Sequence, residues 1–141
     1  MFYGVKIQKN ENGHFEVFCR DLPEYVSTND TYEQAKAMAS QFVPYCMIVS
    51  YRKKKKAIPL PSKVRKGELA YYVPAKVQAK ILFWNFMIEN GLKIADVAKK
   101  LGIAHSEAGR FVDLSRDSAS IDAVESALIK LGGSFTLTLQ K

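Results

Sequence analysis

Few groups in this chain are of a type that could perform chemistry, and their spacing speaks for binding more than catalysis. Six carboxylates fall in the first 33 residues: Glu11, Glu16, Asp21, Glu24, Asp30 and Glu33. A metal-dependent nuclease needs several such groups to converge on divalent ions. Here Glu11, Glu24 and Asp30 fall in expected turns, Glu16 lies mid-strand, and Glu33 sits in a first helical turn where it complements the dipole. Asp21 is the best single candidate, yet within Asp21-Leu22-Pro23 it more readily caps a turn. His14 and His105 form no triad-like arrangement with Ser or Cys. Cys19 and Cys46 lack CxxC spacing and nearby ligand partners, so they read as reduced, buried small hydrophobes. The expectation is a non-enzymatic chain without metal or cofactor.

The positive groups point elsewhere. Residues 1–50 carry four basic and six acidic side chains, residues 51–73 eight and one, and residues 74–141 nine and seven. Nearly all of the formal charge of +7 therefore sits in the middle, in Arg52, Lys53, Lys54, Lys55 and Lys56 and then Lys63, Arg65 and Lys66. Such a run suits either a solvated, self-repelling loop or a contact with a polyanion.

Hydrophobic periodicity supplies the scaffold. Phe2 to Gln8 alternates, as does His14 to Cys19, around a turn containing Asn12-Gly13, which predicts a β-hairpin. Asp21-Leu22-Pro23-Glu24 is expected to break the chain before a third short strand at Tyr25–Thr28. Thr31-Tyr32-Glu33-Gln34 fits a capping box, and Ala35, Met38, Ala39, Phe42, Val43 and Cys46 continue at helical spacing, with Pro44 expected to kink or shorten the helix. Residues 51–67 read as a basic loop and linker, Glu68–Val73 as one more strand, and Pro74 as the first turn of a helix that ends at Asn90-Gly91. The expected domains are 1–73 and 74–141.

Beyond Gly91 two short helices are predicted, Ile94–Leu101 and Ser106–Leu114, joined at Gly102-Ile103-Ala104 and followed by a third over Ile121–Leu131. A helix-turn-helix needs a small residue at the crossing, a glycine able to take positive φ, and an apolar lock. Ala98, Gly102 and the set Val97, Leu101, Ile103, Ala108 and Phe111 meet those needs, although a three-helix packing module that touches no DNA would look similar. Residues 92–132 resemble the Cro and phage-repressor type of helix-turn-helix. That resemblance puts His105, Ser106 and Arg110 where side chains reach base edges, with Arg110 able to give guanine a bidentate pair. It makes Lys93, Lys99, Lys100 and Arg116 candidates for phosphates, each with an ordinary solvated alternative. Ser134–Gln140 alternates Phe135, Leu137 and Leu139 with threonines, predicting a strand that pairs with a symmetry mate or returns to the N-terminal sheet.

Taken in order, the hairpin, Arg20-Asp21-Leu22-Pro23-Glu24, Thr31-Tyr32-Glu33-Gln34-Ala35, Pro59-Leu60-Pro61-Ser62, Tyr72-Val73-Pro74 and the repressor-like C-terminus resemble the HicB antitoxin family over nearly the whole chain. Gln34 departs from the usual Glu, Asn29-Asp30 stand where glycine is usual, and the lysine run departs from less basic sequence. The resemblance implies an α+β protein: a partial ribonuclease-H-like antiparallel sheet with a packed helix, then an all-α helix-turn-helix domain ending in a short strand. It implies a HicA-type ribonuclease toxin as partner, covered by the N-terminal domain, and operator DNA bound by a homodimer or higher homo-oligomer. The mildly acidic first fifty residues suit a basic, RNA-binding toxin. Asp21, Glu24 and Tyr25 are the candidate toxin contacts, against a turn that meets only solvent. No stretch of about eighteen apolar residues spans a membrane and no signal pattern opens the chain, so a cytoplasmic protein is expected. The alternative is a stand-alone helix-turn-helix regulator whose N-terminal domain senses a ligand.

Overall fold

The computed structural model describes residues 1–115 and 118–140 and divides into two compact units, Met1–Pro74 and Ala75–Lys141. The first is an antiparallel four-stranded sheet of order β3-β2-β1-β4. Its strands are β1 (Phe2–Lys9), β2 (Phe15–Cys19), β3 (Leu22–Asn29) and β4 (Leu69–Tyr72). The β1–β2 connection is tied by Asn10, whose Oδ1 accepts from the backbone N–H groups of Asn12 and His14, both at 3.0 Å. Strand period two sends Tyr3, Val5, Val17 and Cys19 to one face. There α1 (Tyr32–Cys46) lays down Ala35, Ala39, Phe42, Val43 and Cys46, all buried, as are their strand partners. Thr31 caps this helix through the Gln34 N–H at 3.1 Å, and Gln34 Oε1 reaches back to the N–H of Asp30.

One expectation changes here. Asp21-Leu22-Pro23-Glu24 does not separate the strands: only Arg20-Asp21 turn, and β3 starts at Leu22, which is fully buried opposite Cys19. Pro23 is tolerated because β3 is an edge strand and Pro23 lies in the irregular stretch of its pairing with β2, between the Cys19–Leu22 and Val17–Ser27 pairs. The α-helix is shortened as Pro44 suggested, ending at Cys46, but the chain stays helical through a π-helical end, Met47–Arg52, in which the Lys53 N–H bonds Ile48 O at 2.9 Å. Burial of Met47, Ser50 and Tyr51 carries the helix past the proline.

The second unit holds α2 (Ala75–Glu89), α3 (Ile94–Leu101), α4 (His105–Gly109) and α5 (Ile121–Lys130). Helix α2 is buried nearly all round and packs on α5. Ile81, Phe83, Val97, Ala108, Val112 and Val124 are fully buried, and the rings of Phe83 and Phe111 lie 5.4 Å apart. The core also holds Lys80, 1% exposed, whose Nζ donates to Asp113 O at 2.9 Å. The second short helix ends at Gly109 and does not reach Leu114. From Arg110 to Val112 each N–H bonds three residues back, drawing consecutive Phe111 and Val112 inward, and Asp113 then accepts from Ser115 to close the turn. Ser134–Gln140 forms no strand, since no neighbouring strand accepts its backbone groups, and Leu137 and Leu139 are exposed.

Candidate functional site

In the second unit the candidate base readers sit at a helical corner. Helix α3 ends with Gly102 at φ +65°; the Ile103 N–H bonds Ala98 O at 3.0 Å and the Gly102 N–H bonds Lys99 O at 3.3 Å. This closure requires the left-handed conformation glycine takes without penalty. Ala98 and Ala108 are buried where α3 and α4 meet, so small side chains let the helices approach. His105, Ser106 and Arg110 are all exposed, Ser106 and Arg110 four residues apart. Lys93, Lys99 and Lys100 are exposed as well; Lys99 and Lys100 end α3, and the Lys93 N–H donates to Asp96 at 2.8 Å. Arg116 lies outside the described residues.

In the first unit the turn at Arg20-Asp21 does something its sequence did not announce. The Asp21 carboxylate accepts from the Ser62 N–H at 3.0 Å and from its hydroxyl at 2.9 Å. Arg20 donates to Glu68 at 3.0 Å, to Lys63 O at 3.0 Å and to Ser62 Oγ. Glu68 also accepts from the Arg65 N–H at 2.7 Å, and Tyr3 donates to Pro59 O at 2.6 Å. These bonds clasp residues 59–68 onto the sheet, with Ile58 buried beside them. The Arg20 and Arg65 donors hold the Glu68 carboxyl below the usual carboxylate range, while burial pushes the Tyr3 phenol up. Gly4 makes room, since a Cβ there would fall 2.8 Å from Glu68 Cδ. That strand glycine was the one sequence signal of a close approach; Arg20, Ser62, Glu68 and the buried Lys80 carried none.

Of the candidate toxin contacts, Asp21 is thus largely engaged within the chain. Glu24 is exposed and faces Tyr51, whose hydroxyl burial, helped by that carboxylate, pushes up to about 12. Tyr25 is 37% exposed and lies against Phe42 and Tyr45, at 5.9 and 5.2 Å. The two cysteines are free and buried, and burial drives the Cys46 thiol up to about 12, leaving it protonated at neutral pH.

The clasped excursion also carries the basic run. Lys53, Lys54, Lys55, Lys63, Arg65 and Lys66 are all exposed. The helix before them closes as α3 does: the Lys56 N–H bonds Tyr51 O at 2.9 Å and the Lys55 N–H bonds Arg52 O at 3.2 Å, with Lys55 at φ +55°.

The arrangement offers polar and charged surfaces and, among the described residues, no group of His, Cys, Asp or Glu able to hold a metal ion and no helix long and apolar enough to cross a membrane. The family model for the HicB-like antitoxin of bacterial toxin–antitoxin systems matches residues 2–82. Antitoxin HicB 2 of Photorhabdus laumondii is 37% identical over 132 residues, covering 94% of this chain and 91% of that protein. The chain belongs to the HicB antitoxin family. Antitoxin HicB 1 of the same organism is 31% identical, covering 99% of the chain and 88% of its own length. Antitoxin HicB of Pseudomonas fluorescens is 27% identical, covering 98% and 93%. HicB likeness therefore extends through both units, whereas the family model ends inside α2.

Proposed function

We propose that this HicB-family chain is a non-enzymatic, cytoplasmic antitoxin that occludes a HicA-type ribonuclease toxin with residues 1–73 and represses its own operon through residues 74–141. The observation that carries the DNA half is the glycine-closed corner between α3 and α4, which leaves His105, Ser106 and Arg110 outward while Ala98 and Ala108 pack inward. That is the disposition a helix-turn-helix needs to enter a major groove. The sheet with one packed helix is in keeping with a partial ribonuclease-H-like domain. Its acids are either clasped or scattered, so inhibition proceeds by covered surface and not by chemistry. Glu24 and Tyr25 offer a carboxylate and an aromatic anchor to a basic toxin, with Asp21 holding the turn beside them.

One helix-turn-helix reads only a half-site, so repression requires two-fold pairing. The exposed Leu137 and Leu139 favour the C-terminal segment as part of that interface. Arg110→Ala should weaken specific operator binding by ~1–3 kcal/mol in a gel shift at fixed salt while toxin co-purification is unchanged. Normal operator affinity in that variant would refute the assignment of the reading helix.

A further inference from the structure

We propose that the excursion between α1 and β4 is a second DNA-binding surface, carried by the first unit, which grips the phosphates of duplex DNA without reading sequence. The inference deepens the operator-binding reading, on which it rests for its partner. Three observations carry it.

The first is where the nearby acids go. Asp21 and Glu68 are the carboxylates that bind residues 62 to 65 of the excursion, and both are turned inward, their side chains 15% and 8% exposed, onto Arg20, Ser62 and the Arg65 N–H, while Glu24 faces it at Tyr51, ahead of the lysine run. Lys53, Lys54, Lys55, Lys63 and Lys66 are exposed and, among the described residues, pair with no carboxylate. The clasp thus removes the counter-charges and leaves the lysines to a partner.

The second is that the basic segment is held, not loose. Tyr3, Arg20 and Asp21 fix residues 59, 62 and 63, and Ile58 is buried. A merely solubilising loop needs no such anchoring, whereas a fixed array of cations loses less entropy when it meets a rigid polyanion.

The third is Lys55. Helices α2, α3 and α5 each end with the same pair of backbone bonds around a left-handed residue, Gly91, Gly102 and Gly132 respectively. The helix ahead of the excursion uses the same closure with lysine in the glycine position. A β-carbon is disfavoured there, so charge occupies a site where conformation alone would select glycine. Evenly spaced phosphates suit lysines presented from both limbs of one excursion, and a basic toxin would be repelled by them.

The test measures anisotropy of a labelled, non-operator duplex of about 20 base pairs with the full chain, between about 50 and 200 mM salt. In Lys53→Gln/Lys54→Gln/Lys55→Gly, affinity should fall roughly tenfold and the slope of log affinity against log salt should shrink by about 2 to 3. The charge-keeping Lys53→Arg/Lys54→Arg/Lys55→Arg should retain the slope. An unchanged slope in the first variant, or an equal loss in the second, overturns the inference, whatever Arg110→Ala does to operator binding. Tighter binding of a single-stranded RNA with the same number of phosphates would overturn the assignment to duplex DNA.

Discussion

The corner at Gly102 and the turn at Arg20-Asp21 are both bends that carry charged residues, yet they are held in opposite ways. The corner is fixed by neighbours: Ala98, Gly102 and Ala108 lie within eleven residues of one another and act through apolar contact and one backbone closure. The turn is fixed by partners 41 to 48 residues away, through hydrogen bonds to the backbone of Ser62 and Lys63 and an ion pair with the Glu68 side chain. Apolar locks are non-directional and tolerate small shifts, whereas the polar clasp fails if any donor loses its acceptor. The second unit should therefore respond to changes of volume, and the first to changes of charge and pH.

The largest expected effect breaks the apolar side of that contrast. Phe83→Ala, at a fully buried site packed against the Phe111 ring, should cost ~3–5 kcal/mol in urea unfolding followed at Trp84, the chain's one tryptophan, which is buried in the same unit. A loss below the range of a surface substitution would mean that this core does not hold the corner. On the polar side, Asp21→Ala removes the acceptor for both Ser62 donors and should cost ~1–3 kcal/mol. Hydrogen exchange at the Ser62 amide is the direct readout, because its protection should vanish while the amides of α3 keep theirs.

A smaller effect of opposite sign tests the helix end before the basic excursion. Lys55→Gly should stabilise the first unit by up to ~1 kcal/mol by relieving the left-handed lysine. A destabilised variant would show that the side chain is held for packing. The smallest effect is a pH dependence. Glu68 has a folded pKa below its unfolded value, so its contribution is complete above the ordinary carboxylate range and is lost as pH falls through the folded value. Melting temperatures taken from about pH 6 down to 3 should therefore fall more steeply for the native chain than for Glu68→Gln. Parallel curves would remove Glu68 from the clasp.

Much of this protein was legible because much of it is local. The hairpin around Asn12-Gly13, the Thr31 cap and the Gly102 corner each rest on residues within a few positions of one another, and period two or 3.6 marks their buried faces. The order of those signals also carried the family resemblance that the comparisons show. Where local signals misled, tertiary burial prevailed. Leu22 was drawn into the core and made a strand of a segment that reads as a break, and Phe111 and Val112 were drawn in together and ended α4 early.

Partnership across distance was the illegible part. Nothing around Arg20, Ser62 or Glu68 tells that they meet, because a hydrogen bond between residues more than forty positions apart depends on how the sheet brings β1, β2 and β4 side by side. The same holds for Lys80, which reads as a solvated helix charge until Asp113 O is brought to it inside the core. By itself the sequence determined most of the elements, the Thr31 cap, the charge placement and the family, since propensity, periodicity and composition act over short range. Only the tertiary structure decided which charges are clasped and which are free, because that depends on the other side chains each one reaches once the chain has folded.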